Sequence, residues 1–379
     1  MRSISLTRRG FIKIAALTSA AVIGGKVASR MSIFGPASRL RPEHLHEARY
    51  WRPLDRKAVQ CQLCFRNCAI PESGRGYCGV RENRDGVLFS LVYGRAAGTQ
   101  VDPVELEPIY HMLPGHRNMG LYTAGCNFMC SFCHNWHVAT RLPEEIDALE
   151  LSPLEVVELA VERNCQSISC TINEPTVFYE YMHDVAQRAQ HEGLRTLFHT
   201  NGAINPEPLR ALLRHMDAVC VDLKAFTADF YQQTSFSELK PVLTALQIIK
   251  EEGVWLEITN LIIPTLNDDL DAIGEMASWI RDRLGTDVPV HFSRFRPAYK
   301  LTRLPPTPIE TLEQAAEIAS RAGLEYVTIG NVPGHDANST FCPECGRILI
   351  HRVHYQVISN WIEDGACPSC GRQIPGIWE

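Results

Sequence analysis

Outside its first sixty residues the 379-residue chain has no surplus of positive charge. Residues 1–60 hold 12 Lys and Arg against 3 Asp and Glu, yet the whole chain carries a net charge of −6, so the remainder is strongly acidic. Phosphate binding needs a basic face, and its absence from the main body excludes a nucleic-acid surface there. Long apolar runs are equally scarce. Only Ile14–Val27 comes close to one, and it falls short of the ~20 residues of a membrane-spanning helix. Nor do the cysteines form the evenly spread framework of a small disulfide-stapled domain. What remains, 45% apolar and 21% charged residues, is the composition of a large globular core with small attachments.

The basic arm reads "SLTRRGFIKIAALTSAAVIGGKVASR". The pair Arg8 and Arg9, then Phe11, Lys13 and an Ala-rich apolar run, resembles a twin-arginine export signal over residues 1–30. No A-x-A cleavage site follows. The basic linker at 31–59 would be attracted to anionic lipid. Export, tethering to the inner membrane face and, if the signal does not function, a cytoplasmic location all stay open.

Fourteen cysteines fall into four sets. Cys61, Cys64, Cys68 and Cys78 form a complete four-thiolate group, which suits either zinc or an auxiliary iron–sulfur cluster. Cys342, Cys345, Cys367 and Cys370 sit in two knuckles, "CPECG" and "CPSCG", spaced as in a zinc ribbon, a spacing that also suits a single rubredoxin-type iron. The segment from Asn338 to Glu379 has three basic residues, Arg347, Arg352 and Arg372, so a nucleic-acid-binding ribbon is excluded. Cys165, Cys170 and Cys220 lie on core elements and read as small hydrophobes. The fourth set, in "GCNFMCSFCHNW", has Cys126, Cys130 and Cys133 and no fourth neighbour. Three thiolates hold three corners of a cubane and leave one iron open to a bound molecule, whereas a cluster closed by four thiolates serves electron transfer.

The middle of the chain alternates strand-like and helix-like runs. "SISCTIN", "RTLFHTNG", "AVCVDLKA", "WLEITNLIIP", "PVHFSRFRP" and "YVTIGNV" are separated by the amphipathic segments Pro153–Arg163, Val177–Glu192, Pro241–Glu252, Leu270–Leu284 and Ile309–Ala322. Such units predict an α/β fold, a parallel sheet covered by helices and closed into a full or partial (β/α) barrel over residues 118–334. A Cys-rich N-terminal domain is expected at 60–117 and the ribbon-like domain at 335–379. Ser152-Pro153 and Thr307-Pro308 mark helix starts, and Gly193, Gly253 and Gly323 mark stops. Ligands of parallel sheets sit beyond the carboxyl ends of the strands. There the sequence places the cysteine loop, Asn173-Glu174, Thr200-Asn201-Gly202, Asp222, Lys224 and Asn260, all expected to face one mouth.

C-x3-C-x2-C after the first barrel strand resembles the radical S-adenosylmethionine superfamily. "CSFCHN" is particularly similar to the activating enzymes of glycyl-radical proteins such as pyruvate formate-lyase. "CQLCFRNCAIPESGRGYCGVREN", "TINEPTVFYEY", "VDLKAF", "NLIIPTLND" and "FRPAYKLTRLPPTP" follow the order of the AmmeMemoRadiSam-system radical enzymes from Gln60 onward. His134 stands where that family has Gln and the activating enzymes have His. The resemblance implies a site-differentiated 4Fe-4S cluster on Cys126, Cys130 and Cys133 and an oxidoreductase that cleaves S-adenosylmethionine. It further implies that Phe132 packs on the adenine, that Asn173 and Glu174 grip the ammonium, and that Asp222 and Lys224 contact ribose and carboxylate. The partners it implies are a reductant such as ferredoxin or flavodoxin, a protein substrate and a Memo-like protein. The alternative from another class is an exported multi-cluster iron–sulfur electron carrier.

Overall fold

The computed structural model describes residues 45–379; the twin-arginine-like segment and the first part of the basic linker lie outside the described residues. An eight-stranded sheet organises the chain. Its strands are β1 (Gly98–Pro103), β2 (Arg117–Tyr122), β3 (Ser167–Cys170), β4 (Arg195–Thr200), β5 (Ala218–Asp222), β6 (Trp255–Ile262), β7 (Val290–Arg294) and β8 (Val327–Gly330), in that spatial order. β2 through β8 pair in parallel, as the strand–helix alternation predicts. β1 and β8 are the two edges, so the barrel is partial.

Helices α1 (Pro153–Glu162), α2 (Tyr179–His191), α3 (Pro206–Leu213), α4 (Leu239–Glu251), α5 (Leu270–Leu284) and α6 (Ile309–Arg321) connect the strands. Local chemistry fixes their ends. The Ser152 hydroxyl accepts from the Glu155 amide and the Glu155 carboxylate accepts from the Ser152 amide, a reciprocal cap in front of Pro153. Gly193, Gly253 and Gly323 take positive φ just beyond α2, α4 and α6. Helix α3 is absent from the expected set, because the short "PEPLRALL" carries two prolines. At α6 the expected Thr307 cap is replaced. The Thr307 hydroxyl donates to the Ile262 carbonyl at 2.6 Å and accepts from the Phe295 amide at 3.0 Å, so it bonds the main-chain ends of β6 and β7 and leaves the helix without a side-chain cap.

β1 runs antiparallel to β2, its six residues paired one to one from Gly98–Tyr122 to Pro103–Arg117. The sequence reading places it in the Cys-rich segment; its mixed pattern "GTQVDP", half-buried throughout, shows no alternation to announce a strand. Upstream lie two small antiparallel sheets, His46–Glu47 with Val87–Ser90 and Arg81–Arg84, and Trp51–Pro53 with Val59–Cys61 and Ala69–Ile70. A third, Thr340–Phe341, Ile348–Val353 and Gln356–Asn360, forms the C-terminal module. No helix of the described residues is long and apolar enough to cross a membrane.

Between β1 and β2 the segment 104–116 enters the sheet's concave interior. Its anchor is Glu257 on β6, fully buried. The Glu257 carboxylate accepts from the amides of Tyr110 and His111 at 2.9 and 2.8 Å, from the Trp255 indole at 2.8 Å and from His291 Nε2 at 2.7 Å. Burial pushes its carboxyl up, but the His291 bond and the neighbouring His111 and Trp255 outweigh it and bring it down to about 2. Since the folded value lies below the ordinary 4.5, the stability it contributes is complete above that pH and is lost as the pH falls towards 2. Glu257→Gln turns an amide N–H towards these donors and is expected to cost about 3 kcal/mol of unfolding free energy. Denaturant unfolding measures this, and an unchanged midpoint would show that the segment is anchored elsewhere.

Candidate functional site

The cysteine loop follows β2 and has no ladder of its own, so its backbone is held by its neighbours. Asn173, after β3, holds the start: its carbonyl oxygen accepts from the Thr123 amide at 3.0 Å and its NH2 donates to the Gly125 and Ala124 carbonyls at 2.8 and 3.2 Å. The amides of Met129 and Ser131 donate to the carbonyls of Ser235 and Thr234, and the Lys300 amide donates to that of Ser131. His134 Nε2 donates to the Arg296 carbonyl at 2.9 Å, and the Asn135 amide group donates to the Ile172 carbonyl at 2.8 Å. Trp136 stacks on Tyr299 with centroids 5.5 Å apart. Gly125 has φ +86°, and a Cβ there would lie 2.7 Å from the Cys78 carbonyl oxygen and 2.6 Å from Val80; only glycine fits.

Cys126, Cys130 and Cys133 line a cavity of about 420 Å³ at the carboxyl ends of the strands, together with Phe132, Asn173, Glu174, Asp222 and Lys224. Every residue that the resemblance assigns to the cluster or the cosubstrate is therefore in one wall. The Cys126 sulfur accepts from the Phe128 amide at 3.3 Å and from the Asn201 amide group at 3.9 Å, the environment of a ligating thiolate. Burial pushes all three thiols up, Cys133 to about 11, a cost that coordination of the thiolate offsets. Three thiols on the wall of one open cavity fit a cluster with one iron left for a ligand.

The partners of the other residues refine their roles. Asn173 is spent on the loop. Glu174 Oε1 accepts from the Thr176 amide and the Thr200 hydroxyl at 2.9 and 2.8 Å, and Oε2 from the Asn201 amide at 2.8 Å; burial still raises its carboxyl above the ordinary range. Asp222 accepts from Lys224 Nζ at 2.7 Å and from His199 Nε2 at 3.0 Å. Burial opposes its ionisation, but Lys224 and His199 prevail and hold it well below the usual carboxylate range. Phe132 is 4% exposed, packs against Phe230 at 5.7 Å and carries the Lys224 ammonium 5.7 Å from its centroid.

Asn260 does not face the mouth. Its NH2 donates to the Leu223 carbonyl at 2.7 Å and lies 3.8 Å from the Met276 sulfur on α5, while Thr259 and Leu261 line the cavity. Strand alternation sends neighbouring residues to opposite faces. The sequence reading misses His199 and Glu107. His199 stands one residue before the polar Thr200-Asn201 pair, a signal that is present. Glu107, bonded to Ser169 at 2.9 Å and Thr171 at 2.5 Å and 3.8 Å from His199, arrives on the interior segment and has none.

The C-terminal cysteines lie outside this cavity. All four sulfurs of Cys342, Cys345, Cys367 and Cys370 fall within 4.8 Å of one another, with Cys342–Cys370 at 3.6 Å and Cys345–Cys367 at 3.7 Å. The two knuckles repeat one geometry: the amides of Cys342 and Cys367 donate to the Arg347 and Arg372 carbonyls, both at 2.8 Å, and Gly346 and Gly371 take positive φ. This group can hold a metal ion.

A largely parallel α/β sheet with three cysteines lining one cavity after its first parallel strand is the arrangement of an enzyme built around a cluster with an open coordination position. The sequence signature of the Radical SAM superfamily matches residues 121–280. An uncharacterized protein of Methanocaldococcus jannaschii, MJ0808, is 44% identical over 332 residues, 87% of this chain and 99% of that protein. The pyruvate formate-lyase-activating enzyme of Clostridium pasteurianum is 26% identical over 173 residues, 45% of this chain and 71% of its own length. A radical SAM methyltransferase from Sphaerobacter thermophilus superposes with a TM-score of 0.47 at 16% identity, covering 80% of this chain and 81% of that one. The chain belongs to the radical SAM superfamily. It is a radical SAM enzyme similar to the activating enzymes, and the superfamily's cofactors are a 4Fe-4S cluster and S-adenosylmethionine.

Gly125→Ala should therefore disturb the site and spare the fold. After anaerobic reconstitution, visible absorbance per chain is expected to fall by the share that the Cys126–Cys130–Cys133 cluster contributes, while far-ultraviolet circular dichroism stays the same. Full absorbance would show that the Cys78 contact does not set the loop.

Proposed function

We propose that the chain abstracts hydrogen from a polar second substrate, a protein segment or a small molecule, in the cavity beyond the strand ends. The observation that carries this reading is the shared wall: the three thiols, Glu174 and the His199–Asp222–Lys224 cluster all line one cavity of about 420 Å³. A cluster held by Cys126, Cys130 and Cys133, with S-adenosylmethionine bound beside it, would supply one-electron reductive cleavage of the sulfonium, the electron coming from an external low-potential reductant. Lys224 would offer a positive charge to the cosubstrate's carboxylate, and Asp222 a hydrogen-bond acceptor to its ribose hydroxyls. Glu174, its oxygens fixed by Thr200 and Asn201, would pair with the ammonium, and such charge-assisted bonds are the strong ones. Phe132, held by Phe230, offers an apolar flank for the adenine. Asn173 acts through the loop.

Zinc is the proposed metal of the C-terminal ribbon, because the 3.6 and 3.7 Å sulfur separations match the ~3.8 Å tetrahedron edge set by Zn–S bonds of about 2.3 Å. A low-potential one-electron protein such as ferredoxin or flavodoxin is the proposed reductant. A Memo-like partner rests on the sequence resemblance alone, as does association with the membrane through residues 1–30. Protease digestion of intact spheroplasts tests that location: cleavage of the barrel from outside rules out tethering to the inner face.

The reduced, reconstituted protein is expected to form 5′-deoxyadenosine, and Cys130→Ala to form none. Wild type with a reducible cluster and no 5′-deoxyadenosine would leave electron carriage as the function. Glu174→Gln and Asp222→Asn should each weaken cosubstrate binding by about 1.5–3 kcal/mol, about tenfold to a hundredfold, with cluster absorbance intact. Parallel loss of absorbance would make them supports of the fold.

A further inference from the structure

Cys61, Cys64, Cys68 and Cys78 surround a second, smaller cavity, and nothing in the radical chemistry uses them. Cys61 ends the strand Val59–Cys61, and its amide donates to the Cys68 carbonyl at 3.0 Å. Cys64 bridges to Ile204 in the loop after β4. Cys78 lies in the turn closed by the Gly79 amide on the Gly76 carbonyl at 2.9 Å. The four thiols open onto one cavity of about 20 Å³, walled by Leu63, Ile70 and Val177. We propose that these four cysteines hold a second iron–sulfur cluster, closed by four thiolates and packed against the back of the radical-cluster loop.

The spread of the thiols separates this from a zinc site. Sulfurs on one tetrahedral zinc stand ~3.8 Å apart and leave no room between them for a body the size of water. The C-terminal set has that tight geometry. Among the described residues it is the group whose ligand atoms all fall within 4.8 Å of one another, and the four N-terminal cysteines do not form such a group. Their cavity is large enough for a water-sized body. Four thiols around one enclosed space, without the tight spacing of a single-ion site, suit a multi-atom core better than a single ion.

Arg81 supplies the second, independent observation. It is 2% exposed and lines the same cavity. Nη2 is engaged by Glu180 and by the Arg49 carbonyl at 3.2 Å, while Nε and Nη1 have no partner. Buried guanidinium donors left without acceptors are rare and costly. The sulfides and thiolates of an anionic cluster are acceptors, and hydrogen bonds to cluster sulfurs are among the features that set its potential.

The placement is against the radical loop. The Cys78 carbonyl and Val80 press on Gly125. Asn127, next to Cys126, lines the N-terminal cavity, and its carbonyl accepts from Arg66 Nε at 2.7 Å.

The test uses the full chain with Cys126→Ala, Cys130→Ala and Cys133→Ala combined, which removes the radical cluster and with it any dependence on the function proposed above. After anaerobic reconstitution with iron and sulfide, and desalting, metal and sulfide analysis is expected to find iron and sulfide in equal amounts, roughly two to four of each per chain, and a reducible paramagnetic signal that Cys64→Ser abolishes. An iron-free protein, with zinc at this set or with none, overturns the proposal. Should the triple variant not fold, wild type serves: about eight iron per chain, or about six for a two-iron core, supports a second cluster, and about four overturns it.

Discussion

Three thiols can serve an open cluster only if the loop carrying them is held still, and that loop has no secondary structure to hold it. Buried backbone donors and acceptors must find partners somewhere, at a cost of about 1–3 kcal/mol for each one left over. Here the partners come from Asn173 after β3, from Thr234 and Ser235 after β5, from Arg296 and Lys300 after β7, and from Arg66 in the N-terminal segment. Loops distant in sequence therefore converge on one short stretch of chain. The parallel sheet is what makes this possible, since it delivers the carboxyl ends of all these strands to one side. The fold supplies the frame, and the loop's unpaired backbone groups choose what must stand around it.

The same economy governs charge. Asp222, Lys224 and His199 are half-buried in the cavity wall, where an isolated charge would be expensive. Each is tolerated because the other two are there: the carboxylate sits between two cationic donors 2.7 and 3.0 Å away. Glu174 has no cation among its hydrogen-bond partners. Its partners are two amides and a hydroxyl, and burial leaves its carboxyl raised. A cation entering the cavity would relieve that, which is the electrostatic sense in which Glu174 suits an ammonium group and Asp222, already matched, suits neutral hydroxyls.

Features of short range are readable in the sequence. The alternation of buried runs with amphipathic helices and the Ser152-Pro153 cap each depend on residues close in sequence, and each is found as expected. Features of long range are not. β1 belongs to the sheet only because β2 is there to pair with it. Thr307 looks like a helix cap, but the backbone of β6 and β7 offers its hydroxyl better-buried partners. Asn260 is brought near the mouth by its strand and sent to the opposite face by its parity. Glu107 is at the site because its segment turns inward to reach Glu257, an acid whose value in the sequence "WLEITN" is that of an ordinary polar interruption.

That inward segment also couples the C-terminal module to the site. Arg352, on the middle strand of the module, is fully buried; it pairs with Glu105 at 3.3 Å, donates to the Tyr110 carbonyl at 2.7 Å and lies over the Tyr110 ring at 4.3 Å. The amide of Tyr110 is in turn bound by Glu257, and three residues before it Glu107 reaches towards His199 and so towards Asp222. A buried guanidinium with an ionic partner holds its position firmly, because moving either charge strands the other. The C-terminal module thus reaches a cavity its cysteines do not line: Arg352 ties its middle strand to segment 104–116, whose Glu105, Glu107 and Tyr110 line that cavity.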